Sequence, residues 1–369
     1  MPRSDQVPHK NRTDVLSARR RRQLRRQRAA VMALIAVAAI CVLVIANMIS
    51  TARPANGARR EPTTPGTHQR DDASPGAGRP SHPKSYGVGV MTLHLIDPTR
   101  TITLRGGQVV SRPVTTVVRY PTLGPGAGAA VLGMRPARAD GPFPLIIFGH
   151  GFDLMPSAYS RLLHYWTSAG FVVAAPIFPL ENREAPGGPN ESDLPNQPQD
   201  MRFVISSLLH LDAQPGSRLS GLIDTHRIAV AGHSDGGDTA LALAYDPSLR
   251  DLHLQAAVIL SGAEIPMLPP FQIAPGGPPL LATQGTADTV NLPSATAAFF
   301  GPAPSPKYLL RLLGGSHFGP YSTNRVQLGV VERVTTAFLK YYLDHDRAAM
   351  RKLSSAGRVP GVATLQADP

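Results

Sequence analysis

The stretch "RIAVAGHSDGGDTALALAY", residues 227–245, decides how the rest of the chain is read. It opens as a continuous apolar run and closes with the spacing of a helix. Between the two, Gly232 to Gly237 hold a serine among glycines. A serine on a sharp strand-to-helix turn needs small neighbours because the backbone is crowded there. Gly232, Gly236 and Gly237 supply them, with His233 and Asp235 on either side of Ser234. The helix behind the serine aims its amide dipoles at the place where negative charge would develop during attack by Ser234. With 34 glycines in the chain, G-x-S-x-G can also arise by chance, so an ordinary Gly-rich turn is the alternative.

Working outward, strand-length apolar runs alternate with helical ones. "PLIIFGH" (144–150), "FVVAAPIF" (171–178), "LQAAVILSG" (254–262), "PPLLATQG" (278–285) and "KYLLRLLGG" (307–315) are mostly continuous in apolar residues, as strands covered on both faces must be. Helical stretches fall at 157–170, 200–211, 238–245 and 326–343. Before them, "VGVMTLHLI" (88–96), "RTITL" (100–104) and "PVTTVVRYP" (113–121) are β-branched, alternating and close together, which predicts antiparallel opening strands. The expectation is an α/β fold with a mainly parallel central sheet, antiparallel N-terminal strands and helices on both faces.

In such a sheet reactive residues sit just beyond the carboxyl ends of strands. A serine hydroxyl needs a base, and the base an orienting acid. "QGTADTV" places Asp288 just beyond one strand run, and "LLGGSHFGP" places His317 in a Gly-rich loop beyond the next. Glu264, after "AVILSG", lies at another strand end and is the reserve for the acid. An oxyanion pocket needs backbone N–H donors. The loop "FGHGFDL" (148–154) and the elbow itself make Phe152 and Asp235 the expected donors, with Gly149 and Gly151 letting the backbone approach and His150 holding the loop. A carboxylate on Asp235 would oppose an oxyanion if it pointed inward, so it is expected to point away. Asp238, in the helix behind, reads as structural.

Taken together, "PVTTVVRYP", "GPFPLIIFGHGF", "NQPQDMRFVISSL", "GHSDGG", "GTADTV" and "GGSHFG" resemble α/β-hydrolases of the dienelactone-hydrolase-like group, which includes platelet-activating-factor acetylhydrolases, chlorophyllases and cutinase-like polyester hydrolases. The resemblance runs from about Val114 to His317. It implies the α/β-hydrolase fold, with Ser234 as nucleophile, His317 as base, Asp288 as acid, and Phe152 and Asp235 as oxyanion donors. Dienelactone hydrolases proper use a cysteine, so the serine here implies the esterase and lipase branch.

Charge and composition organise the remainder. The formal net charge is +12, but residues 1–28 hold ten Lys/Arg against two acids and residues 51–85 six against three, which leaves the body nearly neutral and argues against a nucleic-acid partner. No charged residue lies between Arg28 and Arg53, and the apolar run 29–50 behind "RRRRQLRRQR" has the length of a membrane span. Retention of the basic flank predicts a signal anchor with residues 1–28 in the cytoplasm and the remainder outside. A cleaved signal peptide, secreting the chain, is the alternative. Residues 51–85 contain no large aliphatic or aromatic side chain and read as a disordered stalk, 86–345 as the catalytic domain and 346–369 as a tail without apolar periodicity.

The single cysteine, Cys41, excludes an intramolecular disulfide or a cysteine-rich zinc site. No histidine pair has ligand spacing, so no metal is expected. "GPGAGA" (124–129) fits G-x-G-x-x-A but precedes no clear helix, so no dinucleotide cofactor is expected either. The Pro/Gly/Asn-rich stretch 179–199 begins at a strand end and is expected at the mouth of the site. The stretch 263–279, with Met267, Leu268 and Phe271, offers an apolar wall for an acyl chain. The sequence thus predicts a membrane-anchored serine esterase or lipase acting on a small or lipid-like ester. Two alternatives stay open: acyl transfer to a cell-envelope acceptor from the same site, and a catalytically silent hydrolase fold used for binding.

Overall fold

A computed structural model describes residues 85–104, 106–124, 128–270, 273 and 276–369. The basic head, the expected span at 29–50, the stalk up to residue 84, the centre of "GPGAGA" and Phe271 lie outside the described residues. Among the described residues no helix is long and apolar enough to cross a membrane.

Among the described residues ten strands form one sheet. In chain order they are β1 (Gly87–Thr103), β2 (Val109–Thr122), β3 (Val131–Leu132), β4 (Phe143–Gly149), β5 (Val172–Pro176), β6 (Ile223–His233), β7 (Leu254–Leu260), β8 (Leu280–Gly285), β9 (Lys307–Leu312) and β10 (Ala363–Asp368), arranged β10-β9-β8-β7-β6-β4-β5-β2-β1-β3. From β5 to β9 every pairing is parallel, while β2 joins β1 and β5 antiparallel. The two opening strands expected at 88–96 and 100–104 are one strand. Asp97 absorbs the break, since its carboxylate accepts from the Thr99 N–H and Arg100 Nε, and the register against β2 shifts between Asp97 and Thr101.

The central strands are apolar throughout because both faces are covered. Leu145 and Ile147 of β4 and Val230 of β6 face one core, with Met201, Val204 and Leu208 of α2 (Gln197–Ala213), Leu241 of α3 (Asp235–Tyr245) and Phe299 of α4 (Pro293–Phe300). Their neighbours Ile146, Phe148 and Ala231 face the other, with Leu162 and Trp166 of α1 (Ser160–Ser168) and Val331, Val334 and Phe338 of α5 (Arg325–Asp344). Trp166 Nε1 donates to Thr335 Oγ1 at 2.8 Å and pins α1 to α5.

The stretch 346–369 differs from the tail expected of it. It forms α6 (Arg347–Ala356) and then β10, which pairs antiparallel with β9 from Ala363↔Leu312 to Asp368↔Lys307. Only Ala349 and Leu353 of α6 and Ala363 and Leu365 of β10 are buried. An edge strand buried on alternate positions at one end, carrying one alanine and one leucine inward, leaves little hydrophobic signal.

Candidate active site

Strand β6 ends at His233 and α3 begins at Asp235, so the turn between strand and helix is the single residue Ser234, held at φ 55° and ψ −126°. A residue with a Cβ populates that region only under constraint. Two glycines let the turn close. A Cβ on Gly232 would overlap the Gly236 carbonyl, and one on Gly236 would overlap the carbonyl of Gly149 at the end of β4. Glycine at both positions lets elbow, helix and neighbouring strand meet through bare backbone. The Ser234 N–H donates to Leu260 O at 3.0 Å and its carbonyl accepts from the Asp238 N–H at 2.8 Å, which ties the turn to β7 and α3.

Ser234 Oγ lies 2.8 Å from His317 Nε2, and His317 Nδ1 lies 2.8 Å from Asp288 Oδ2. A carboxylate can only accept, so Nδ1 carries the ring proton and Nε2 accepts from the serine hydroxyl. Asp288 follows β8 and His317 follows β9, both on short loops at carboxyl ends of strands. Four donors fix the Asp288 carboxylate. Oδ1 accepts from the N–H groups of Val290 at 2.8 Å and Asn291 at 3.1 Å, and Oδ2 accepts from Gln284 Nε2 at 3.2 Å as well as from His317. Glu264 sits in the loop after β7, and no hydrogen bond joins it to His317 among the described residues.

The loop after β4 has three amides engaged. Gly151 N–H donates to Tyr159 Oη at 3.2 Å, Asp153 N–H to Glu181 O at 3.0 Å and Leu154 N–H to Gly151 O at 3.2 Å. The Phe152 N–H between them has no acceptor among the described residues, and Asp235 is the first residue of α3, where a helical N–H points out of the helix end. A Cβ on Gly151 would come within 3.1 Å of Ser234 Cβ, so this loop lies directly against the Ser234 turn. His150 Nδ1 donates to Gly151 O at 2.9 Å and Nε2 accepts from the Phe178 N–H at 3.1 Å; burial pushes its pKa down to about 4. The ring is therefore a neutral brace between this loop and the loop after β5.

His233 is a second neutral brace, held well below its ordinary pKa by burial and by His317 beside it. Its Nε2 faces the His317 carbonyl at 2.9 Å, so that nitrogen carries the proton, and Nδ1 accepts from Tyr159 Oη at 2.8 Å. One chain of hydrogen bonds thus runs from Gly151 through Tyr159 and His233 to the backbone of His317. Asp238 Oδ1 accepts from the Ala263 N–H at 2.6 Å and ties α3 to the loop after β7. Tyr159, Gln284 and Asn291 carried no signal in the sequence, because a buried tyrosine or amide is indistinguishable there from ordinary core or loop composition.

The two loops expected at the site meet over α3. Leu194 from 179–199 and Ile265 from 263–279 pack on Ala242, with Met267 and Leu268 against them. Arg112 on β2 fastens the first of these loops. Its guanidinium donates to Asp193 Oδ2 at 2.7 Å and to Asp200 Oδ1 at 2.6 Å, all three side chains being buried.

Residues 114–263 match the family model described as Chlorophyllase. Among curated proteins, similarity extends to Chlorophyllase type 0 of Chenopodium album, 31% identical over 37% of this chain and 37% of that one. It also extends to the bis(hydroxyethyl) terephthalate hydrolase of Streptomyces coelicolor, 26% identical over 60% of this chain and 64% of that one. The chain therefore spans between about one third and two thirds of the length of the curated relatives it matches. Among solved structures, a ferulic acid esterase from Streptomyces cinnamoneus superposes with a TM-score of 0.55 at 23% identity, covering 73% of this chain and 93% of that one. That likeness is one of fold.

Proposed function

We propose that this chain, which has the α/β-hydrolase fold and matches the chlorophyllase family over residues 114–263, is a serine esterase working through an acyl-enzyme. The observation that carries this reading is the aligned pair of 2.8 Å contacts from Ser234 through His317 to Asp288. In the proposed cycle His317 Nε2 takes the hydroxyl proton as Ser234 Oγ attacks the ester carbonyl. Asp288 holds the imidazole in the required tautomer and offsets the imidazolium charge. The N–H groups of Phe152 and Asp235 receive the developing oxyanion. The proton returns from His317 to the leaving alcohol, and a water activated by the same nitrogen then releases the acid and restores Ser234.

Ester cleavage by the named relatives supports the substrate class. The apolar contact of Met267 and Leu268 with the neighbouring loop supports a wall for the acyl or leaving group. The uncharged run 29–50 behind an arginine-rich head supports a chain tethered to a membrane with this domain outside the cytoplasm. The test is hydrolysis of a p-nitrophenyl ester series of increasing acyl length by the full chain and by Ser234→Ala, His317→Ala and Asp288→Ala. A folded wild type inert on every ester defeats the reading. Faster turnover on adding an alcohol acceptor, with acyl product on that alcohol, moves it to acyl transfer.

A further inference from the structure

The described domain begins at Ser85, and two kinds of surface meet there. Ser85 lines a groove of about 710 Å³ together with Arg333 and Lys340 of α5 and Lys352 of α6. Two residues on, the Gly87 N–H donates to Gly124 O at 3.0 Å, and β1 then pairs with β3 through Gly89↔Val131 and Val90↔Leu132. Beside this entry point Leu123 is 68% exposed and Leu132 78%, with Val131 and Met134 exposed as well. Apolar side chains scattered singly on a surface are ordinary, whereas several gathered at one sheet edge mark an interaction face.

Cations surround the same place. Arg218 Nη1 donates to Gly133 O at 2.6 Å, and Arg138 Nε donates to Ser220 O at 2.9 Å. Among the described residues no carboxylate pairs with Arg138, Arg218, Arg333 or Lys352. The acids nearby are engaged or outnumbered. Asp344 holds Arg227 at 2.7 Å and Lys340 at 2.6 Å, Asp346 accepts from the Ala348 N–H at 2.8 Å, and Asp140 sits in the same turn as Arg138. An exposed apolar edge among uncompensated cations is complementary to a bilayer with negative headgroups, which takes the cations at its surface and the apolar side chains at the acyl boundary.

The topology says where the nucleophile lies relative to this face. Strand β2 runs antiparallel to β5, with Thr116↔Pro176 and Arg119↔Val173, so the Thr122 end of β2 lies at the amino ends of the parallel strands. Gly87 pairs with Thr122 and shares that end, while Ser234 follows the carboxyl end of β6. We propose that the face around Ser85 docks on an anionic phospholipid surface and holds Ser234 turned away from the bilayer, so that the ester reaches the site from the aqueous side. The inference rests on the membrane tether proposed above and not on the esterase chemistry. An extended chain as long as the segment 51–84 spans on the order of 100 Å, so the tether sets proximity and this face sets orientation.

The test uses the full chain with Cys41→Ala and one added cysteine, either Leu132→Cys or Leu292→Cys, labelled with an environment-sensitive dye. Leu292, exposed in the loop after β8, reports the opposite end. The protein is reconstituted in bilayer discs of phosphatidylcholine with or without phosphatidylglycerol. Blue-shifted emission and loss of quenching by aqueous acrylamide are expected at Leu132→Cys alone, and only with phosphatidylglycerol present. Adding Arg218→Glu and Arg333→Glu should lower the ratio of docked to undocked protein at least about ten-fold, because each reversal turns attraction to the anionic surface into repulsion. Emission that is the same in both bilayers, or a shift at Leu292→Cys instead, overturns the proposal. A chain that alkaline carbonate strips from membranes overturns the tether instead, and the same label read with added vesicles of the two compositions still decides the docking.

Discussion

Ser234 is a non-glycine residue at φ 55°, a conformation that costs on the order of 1–3 kcal/mol and persists because surrounding contacts enforce it. The main-chain bonds to Leu260 and Asp238 supply that enforcement and leave the side chain turned toward His317. This much was legible, since GHSDGG, Asp288 and His317 each follow a recognisable strand. What was not legible is how the parts are held, because the Tyr159–His233 bond joins residues 74 apart in sequence and the bonds from Gln284 and Asn291 to Asp288 depend on a loop geometry that their residue types do not announce. Two predictions belong here. Asp288→Asn should keep the fold and lower kcat by roughly 10³–10⁴, because an amide that turns its NH₂ toward Nδ1 stabilises the wrong tautomer. Circular dichroism beside steady-state kinetics checks it, and a loss under ten-fold contradicts it. Tyr159→Phe removes the donor to His233 and the acceptor for Gly151 N–H, and should cost about 1–3 kcal/mol of stability with a fall in kcat/KM. Denaturant melts and kinetics read both.

Among the elements, the central strands read clearly from sequence because burial on both faces makes them continuously apolar. Strand β1 did not, since "DPTR" (97–100) looks like a turn until Asp97 is seen to bind its own backbone and Arg100. The Pro/Gly/Asn-rich loop 179–199, expected at the mouth of the site, is fastened by Arg112 through Asp193. Arg112→Met leaves the buried Asp193 without its cation, while Asp200 keeps the Arg100 guanidinium at 2.7 Å, and should destabilise by about 3–5 kcal/mol. Urea unfolding measures this, and a change below 1 kcal/mol contradicts the assigned role. The two braces His150 and His233 set acid stability. Each is neutral in the fold with its pKa pushed down, and each protonates readily once unfolded. Stability should therefore be full above about pH 6.5 and fall as pH drops from there toward 4, the folded value of His150. Thermal midpoints over that range test the sign.

For the whole molecule, the C-terminal stretch is part of the sheet rather than an appendage. Deleting residues 346–369 should strip β9 of its partner, expose Leu310 and Leu312, and yield aggregating protein. Soluble monomer with unchanged thermal stability would contradict that. The fold positions the proposed chemistry by gathering four strand ends, β4, β6, β8 and β9, around Ser234. The measurement that bears on this most directly is labelling of the full chain with a fluorophosphonate, read by mass spectrometry of the peptide containing Ser234. The account predicts one adduct on Ser234 that vanishes in Ser234→Ala and collapses in His317→Ala. A folded protein that takes no label, or takes it on another residue, would contradict it.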